Sequence, residues 1–288
     1  GNKYRVSAHD ADMKETEAIY GQTDSGMTII EGHLFLNGKK PIQHRSSYGL
    51  GEVIKAALDN HTEHLVISLG GIGSFDGGAG MLQALGATFY DDEAQIVDMR
   101  KGAYLIKYIR RIDLSGVHPQ LTKVNIQLMS DFSSRLYGKK SEIMQTYESL
   151  DLSQNEAAEI DNLIWYFSEL FKNELKIAMG PIERGGAGGG IAAVLNSLYQ
   201  AEILTSHELV NQITHLENLI QQADLIIFGE GLKEEDQILE TTTIRIAELT
   251  QQYSKPAIAI CATNDKFDLF ESLNVTAMFN TFIDIPDS

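Results

Sequence analysis

The chain has 288 residues, 43% of them hydrophobic, enough to build a core in one large domain or two. Forty acidic against 23 basic residues leave a formal charge of −17, which opposes nucleic acids and anionic membrane surfaces and requires any anionic small ligand to find a locally positive pocket. The single cysteine, Cys261, excludes an intrachain disulfide; with no signal-peptide pattern and no apolar stretch of spanning length, the cytoplasm is the expected location.

In chain order, residues 18–20, 27–31 and 33–36 alternate or run apolar between turns at Asp24-Ser25-Gly26 and Asn37-Gly38, which predicts a small antiparallel patch. Ser46 and Ser47 precede Tyr48-Gly49-Leu50-Gly51 and a periodic run with Val53, Ile54, Ala57 and Leu58, predicting a serine-capped helix. Residues 65–69 are apolar without polar alternation, the pattern of a strand covered on both faces in a parallel α/β sheet. That strand runs into Gly70, Gly71, Gly73, Gly77, Gly78 and Gly80, with Ser74 and a single acid, Asp76, among them. Met81, Leu82 and Leu85 then recur at helical spacing. A glycine loop between strand and helix leaves backbone N–H groups free at a helix start, where they and the helix dipole hold phosphate or carboxylate. The same composition also serves a plain tight turn, and neither G-x-G-x-x-G nor P-loop spacing is present to decide between the two.

Residues 124–129 form the next predicted strand, which delivers Ser130 and Asp131 at its C-terminal end, where ligand-facing groups of parallel sheets lie. A helix over 155–177 carries Ile160, Ile164, Phe167, Leu170 and Phe171 on one face, so Trp165 and Tyr166 are expected as core or helix-contact residues and not as a base-stacking platform. Arg184 heads a second glycine loop, with Gly186, Gly188 and Gly189, followed by an apolar helix from Ile191; the arginine either supplies charge for an anion or is a surface residue. A helix from Ser206 through Leu216, a strand over 223–228 ending in Gly229-Glu230-Gly231, a helix over 242–253 and strands over 257–261 and 276–279 make a β-α-β-α-β series. The expected fold is therefore α/β, with two dissimilar parts: a mixed-sheet glycine-loop domain over 1–220 and a partial Rossmann-like domain over 221–288. The eight histidines form no metal set, so no protein-held metal is expected, and no G-x-S-x-G elbow occurs.

Taken together, these segments resemble the glycerate kinase family, the ATP-dependent type with two dissimilar α/β domains. Residues 70–86 resemble its G-G-S-x-T-N-D-G-G-x-G-x-x-x-A-L-G, and Ser47-Tyr48-Gly49-Leu50-Gly51-Glu52 its T-x-G-x-G-E. Residues 111–116 resemble R-I-D-L-S-G, and 130–136 C-D-V-x-N-P-L. Residues 186–190 resemble the family's glycine-alanine loop, and Gly229-Glu230-Gly231 the head of its G-E-G-R-L-D. The resemblance implies phosphorylation of glycerate or a similar small hydroxy acid, with ATP and Mg²⁺. It implies catalytic roles for Asp76, Asp131 and Glu234. Gly70, Gly71, Gly73, Ser74, Gly77, Gly78, Arg184, Gly186, Gly188 and Gly189 would bind substrate or phosphate, and Gly229, Glu230 and Gly231 the nucleotide.

The departures fall on polar positions. Ile72 stands for serine, Phe75 for asparagine, Ser134 for asparagine, Leu232 for arginine, Glu234 for aspartate and Thr241 for lysine. Loss of cationic side chains near transferring phosphate removes transition-state stabilisation, on the order of several kcal/mol where nothing replaces it. The alternative expectation is thus a catalytically silent ligand-binding or regulatory paralogue. The family's first strand and last helix have no counterpart here, so an apolar edge covered by another domain or by a second copy of the chain, as a homo-oligomer, is also expected.

Overall fold

The computed structural model describes residues 1–70, 73–230, 242–261 and 267–280. Contacts divide the chain into two units, Gly1–Ile203 and Leu204–Ser288.

The first unit opens with β1 (Asn2–His9), β2 (Glu15–Gln22) and β3 (Met27–Glu31), each antiparallel to the next. In β2, Ala18 and Tyr20 are buried while Glu17 and Ile19 are exposed, the period-2 pattern of a half-covered strand. Tyr20 stacks on its register partner Tyr4 with 5.1 Å between ring centres. Residues 33–36, expected as extended chain, instead form a helical turn, α1 (His33–Leu36). The Gly32 amide bonds to the Ser68 carbonyl at 2.9 Å and turns the chain, and Phe35 and Leu36 are buried side by side, which one face of a helix permits and one face of a strand does not.

Next, α2 (Tyr48–Asp59) buries Leu50, Val53, Ile54, Ala57 and Leu58. It is followed by β4 (His64–Ser68), α3 (Ala79–Ala84), an antiparallel ribbon of β5 (Thr88–Tyr90) and β6 (Arg111–Asp113), and β7 (Asn125–Met129). β4 lies between β3 and β7, parallel to both, with Ile67 opposite Ile30 and Leu128. It is an interior strand, and its unbroken apolar run is buried. Then come α4 (Glu142–Thr146), α5 (Gln154–Leu170), α6 (Ile191–Tyr199) and β8 (Glu202–Leu204), completing a mixed sheet of order β1-β2-β3-β4-β7-β8. Ser153 and Glu156 close a capping box at the start of α5, whose Ile160, Ile164 and Phe167 face the core. Tyr166 is a helix contact as expected, its hydroxyl donating to the Ile109 carbonyl at 2.7 Å. Trp165 is not a core residue: it lies one position off the apolar stripe and is 47% exposed.

The second unit contains α7 (Ser206–Thr214) and α8 (Leu216–Gln222), which replace the single helix expected across Leu216; His215, at φ 53°, separates them. These are followed by β9 (Ile226–Glu230), α9 (Thr242–Gln252), β10 (Ala257–Cys261), α10 (Phe267–Ser272) and β11 (Ala277–Asn280). β10 runs parallel to both β9 and β11. Phe228, Ala247, Ala259 and Phe270 form a separate small core. The molecule is thus α/β with two dissimilar parts, a six-stranded mixed sheet and a three-stranded parallel one. Among the described residues no helix is long and apolar enough to cross a membrane.

Candidate functional site

Three segments of the first unit converge: the loop between β4 and α3, the loop ahead of α6, and the stretch following β7. The Gly77 amide donates to the Gly189 carbonyl at 3.0 Å, and the Gly186 amide to the Ser134 carbonyl at 3.3 Å. The glycines at these contacts leave the backbones room to touch.

Asp76 lies beneath the first loop and is buried. Its Oδ2 accepts from the Ser47 amide (2.8 Å), the Ser47 hydroxyl (2.9 Å) and the Gly80 amide (3.1 Å), while Oδ1 accepts from the Gly78 amide (3.0 Å). Burial pushes its carboxyl pKa up, against the pull of these four donors. Asp76 therefore ties the starts of α2 and α3 together, which is a positioning task. Ser47 shares it: its hydroxyl accepts from the Met81 amide at 2.9 Å and does not cap α2, whereas the Ser46 hydroxyl accepts from the first amide of that helix, Tyr48, at 3.2 Å.

Much of the donor capacity expected of the glycines is spent internally. The amides of Gly77, Gly78, Gly186 and Gly189 all have protein acceptors. Among the described residues those of Gly73, Ser74 and Gly188 do not. Two buried hydroxyls, Ser74 Oγ and Ser134 Oγ, have no partner among the described residues. A Cβ added at Gly186 would lie 2.5 Å from Ser134 Oγ, and one at Gly189 would overlap the Ser74 carbonyl, so both serines lie against the second loop. Unpartnered buried hydroxyls next to free amides form a donor set suited to a small oxyanion.

Asp131 is half-buried just beyond the C-terminal end of β7, following the buried Ser130, whose hydroxyl accepts from the Phe132 amide at 3.3 Å. Arg184, half-buried at φ 54°, heads the second loop. Gly70 is exposed, with open space where a side chain would project. Gly229 and Glu230 end β9 in the second unit, opposite Ile260 and Cys261. Gly71, Ile72, Gly231, Leu232, Glu234 and Thr241 lie outside the described residues.

Two residues at this site carry no sequence signal of their own. Arg45, half-buried, donates through Nη1 to the Gly73 carbonyl at 2.9 Å and brings positive charge to the first loop. Glu142 is buried at the start of α4, and its Oε2 accepts from the Gly189 amide at 3.4 Å. Burial raises its pKa from an ordinary 4.5 to about 7, with the Gly189 hydrogen bond opposing the shift. Between these two values the folded chain binds more protons than the unfolded one, so this group makes stability fall as pH rises through the window. A Glu142→Gln variant should therefore gain up to about 3 kcal/mol over the parent at pH 8 and nothing near pH 4. Urea midpoints at the two pH values check this.

Comparison with known proteins places these loops in context. The model of the glycerate kinase family matches residues 1–286. The chain is 31% identical to a glycerate kinase of Halalkalibacterium halodurans over 86% of its own length and 66% of the relative's. It is 29% identical to the glycerate 2-kinase of Escherichia coli K12, over 83% of this chain and 63% of that one. The crystal structure described as glycerate kinase 2 from Salmonella typhimurium LT2 superposes with a TM-score of 0.85 at 27% identity, covering 97% of this chain and 75% of its own. The chain spans just under two thirds of the length of the curated relatives it matches.

Proposed function

Because the chain belongs to the glycerate kinase family, we propose that it phosphorylates glycerate or a similar small hydroxy acid, with ATP as the phosphoryl donor and Mg²⁺ as its counter-ion. The observation that carries this reading is the pair of unpartnered buried hydroxyls, Ser74 and Ser134, beside the free amides of Gly73, Ser74 and Gly188. That donor set receives the substrate carboxylate, with Arg45 and Arg184 supplying positive charge in an otherwise acidic chain. Asp131, at the strand end where substrate groups gather, orients the hydroxyl. Asp76 holds the first loop in shape and does not meet the substrate. As the resemblance implies, Gly229, Glu230 and Gly231 bind the nucleotide, and Glu234 is a secondary candidate for base. Mg²⁺ enters with the nucleotide, where it neutralises the phosphate oxygens.

The test is ATP-dependent phosphorylation of glycerate by the full chain, followed by glycerate-dependent release of ADP. The parent should turn over, and Asp131→Asn should lower kcat by about 10²-fold or more. Absence of glycerate-dependent ADP release in the parent would overturn the reading. A second reading, a ligand-binding paralogue without turnover, is favoured by Leu232 and Thr241, which stand where the family has arginine and lysine. Under it the parent binds glycerate or nucleotide without product, and a Leu232→Arg, Thr241→Lys double variant restores phosphotransfer.

A further inference from the structure

An acid in the first turn of a helix ordinarily stays in solvent near that helix's own amides. Glu142 does otherwise. It is 9% exposed, and its carboxyl reaches across to the amide of Gly189, the residue before the Gly190 N-cap of α6. The same loop lies against the two buried, unpartnered serine hydroxyls. An acidic side chain of the protein thus occupies one amide of the loop that an anionic ligand would use, at 3.4 Å, longer than the 2.7–2.9 Å of a strong charge-assisted bond.

We propose that Glu142 is the ligand-discriminating group of the second glycine loop: seated on the Gly189 amide, its carboxyl admits an anionic ligand group when it carries a proton and excludes one when it does not. This rests on the reading of the glycine loops as an anion seat.

None of the charged groups on the described elements around Glu142 pairs with it. On α5, Asp161 accepts from the Gly138 amide at 2.8 and 3.0 Å. On the segment leading into α4, Arg135 donates to the Pro181 carbonyl, and Lys139 and Lys140 are exposed. Arg184 heads the second loop, Asp131 follows β7, and Asp76 is held by its four donors. Among the described residues none of these forms an ion pair with Glu142. A ligand's negative charge is therefore the main charge that its proton can answer. Its raised pKa, about 7, puts that proton in exchange near neutrality.

Linkage makes the effect reciprocal: an anion that raises the carboxyl's pKa by one unit binds tenfold more tightly to the protonated form. The experiment is calorimetric titration of the full chain with sulfate and, separately, glycerate, whose charges are fixed between pH 6 and 8. Each titration is run in two buffers of different ionisation enthalpy, so that proton uptake is read directly. With the free carboxyl at about 7, the parent should bind roughly five- to tenfold more tightly at pH 6 than at pH 8, about tenfold being the limit of complete exclusion, and take up about half to three quarters of a proton per ligand near pH 7.5. Glu142→Gln should bind equally at both pH values, close to the parent's pH 6 affinity, without proton uptake. Parental binding with no linked uptake, or an unchanged pH ratio in Glu142→Gln, overturns the proposal; the parental uptake needs no variant to fold. Sulfate following the expected pattern while glycerate fails to bind supports the role of Glu142 and rejects glycerate as substrate. Failure of both ligands at both pH values overturns the anion seat and the proposal together.

Discussion

A Gly189→Val variant is expected to lose roughly 4 kcal/mol or more of folding stability, read as a lower urea midpoint at unchanged slope. Gly189 sits at φ 60°, and a Cβ there would overlap the Ser74 carbonyl and lie 2.9 Å from Phe75 Cα. Holding a β-branched residue in the left-handed region costs on the order of 1–3 kcal/mol, and forcing atoms into a packed core costs about as much again. The obstructing atoms are backbone, which cannot swing aside as a side chain can. The variant also disturbs the Gly77 amide's bond to the Gly189 carbonyl and so separates the two loops. Gly77→Val meets a softer neighbour, since its Cβ would lie 2.8 Å from Cδ1 of Phe167, whose ring packs edge-on against Phe89 and Phe171. It should be damaging but less so. Gly70→Ala is the control: with no atom within 4 Å of the new Cβ, its midpoint should stay within about 0.5 kcal/mol of the parent. Equal midpoints for Gly189→Val and the parent would remove the case for close loop packing.

The contrast between Gly189 and Gly70 shows what a sequence discloses at such a site. Both are glycines in loops beside a strand or helix, and composition alone ranks them alike. The left-handed backbone at Gly189 and the positions of Ser74 and Phe75, more than a hundred residues earlier in the chain, make one irreplaceable. The β4 run at residues 65–67 was legible because burial on both faces leaves a local trace, an unbroken apolar stretch. Residues 33–36 were misread because four apolar or aromatic residues fit either period, and the turn at Gly32 depends on its distant bond to Ser68. Glu142 was invisible for a related cause. Following Ser141, it has the appearance of an ordinary first-turn acid, and the Gly189 amide that it meets is 47 residues away. The resemblance implies a catalytic role for Asp76, and no local pattern shows its four donors, which come from Ser47, Gly78 and Gly80, the two from Ser47 across 29 residues.

Asp76 and Asp131 should consequently separate under the same substitution. Asp76→Ala strands the buried amides of Ser47, Gly78 and Gly80, each worth about 1–3 kcal/mol when left unpaired, so a loss on the order of 4 kcal/mol is expected even after partial relaxation. Asp76→Asn keeps one oxygen as acceptor but turns an amino group toward N–H donors, and about half of that loss should remain. Because both carboxylate oxygens of Asp76 are already taken by protein donors, Asp76→Asn that folds should retain glycerate phosphorylation within about tenfold of the parent. Asp131 is half-buried at a strand end, so Asp131→Asn should move the urea midpoint by no more than about 1 kcal/mol while lowering kcat by about 10²-fold or more. Midpoints and kcat measured on the same two preparations decide the matter. A folded Asp76→Asn with activity reduced as far as that of Asp131→Asn would return Asp76 to the chemistry, and the enclosed carboxylate would then have to be reached through a rearrangement of the first glycine loop.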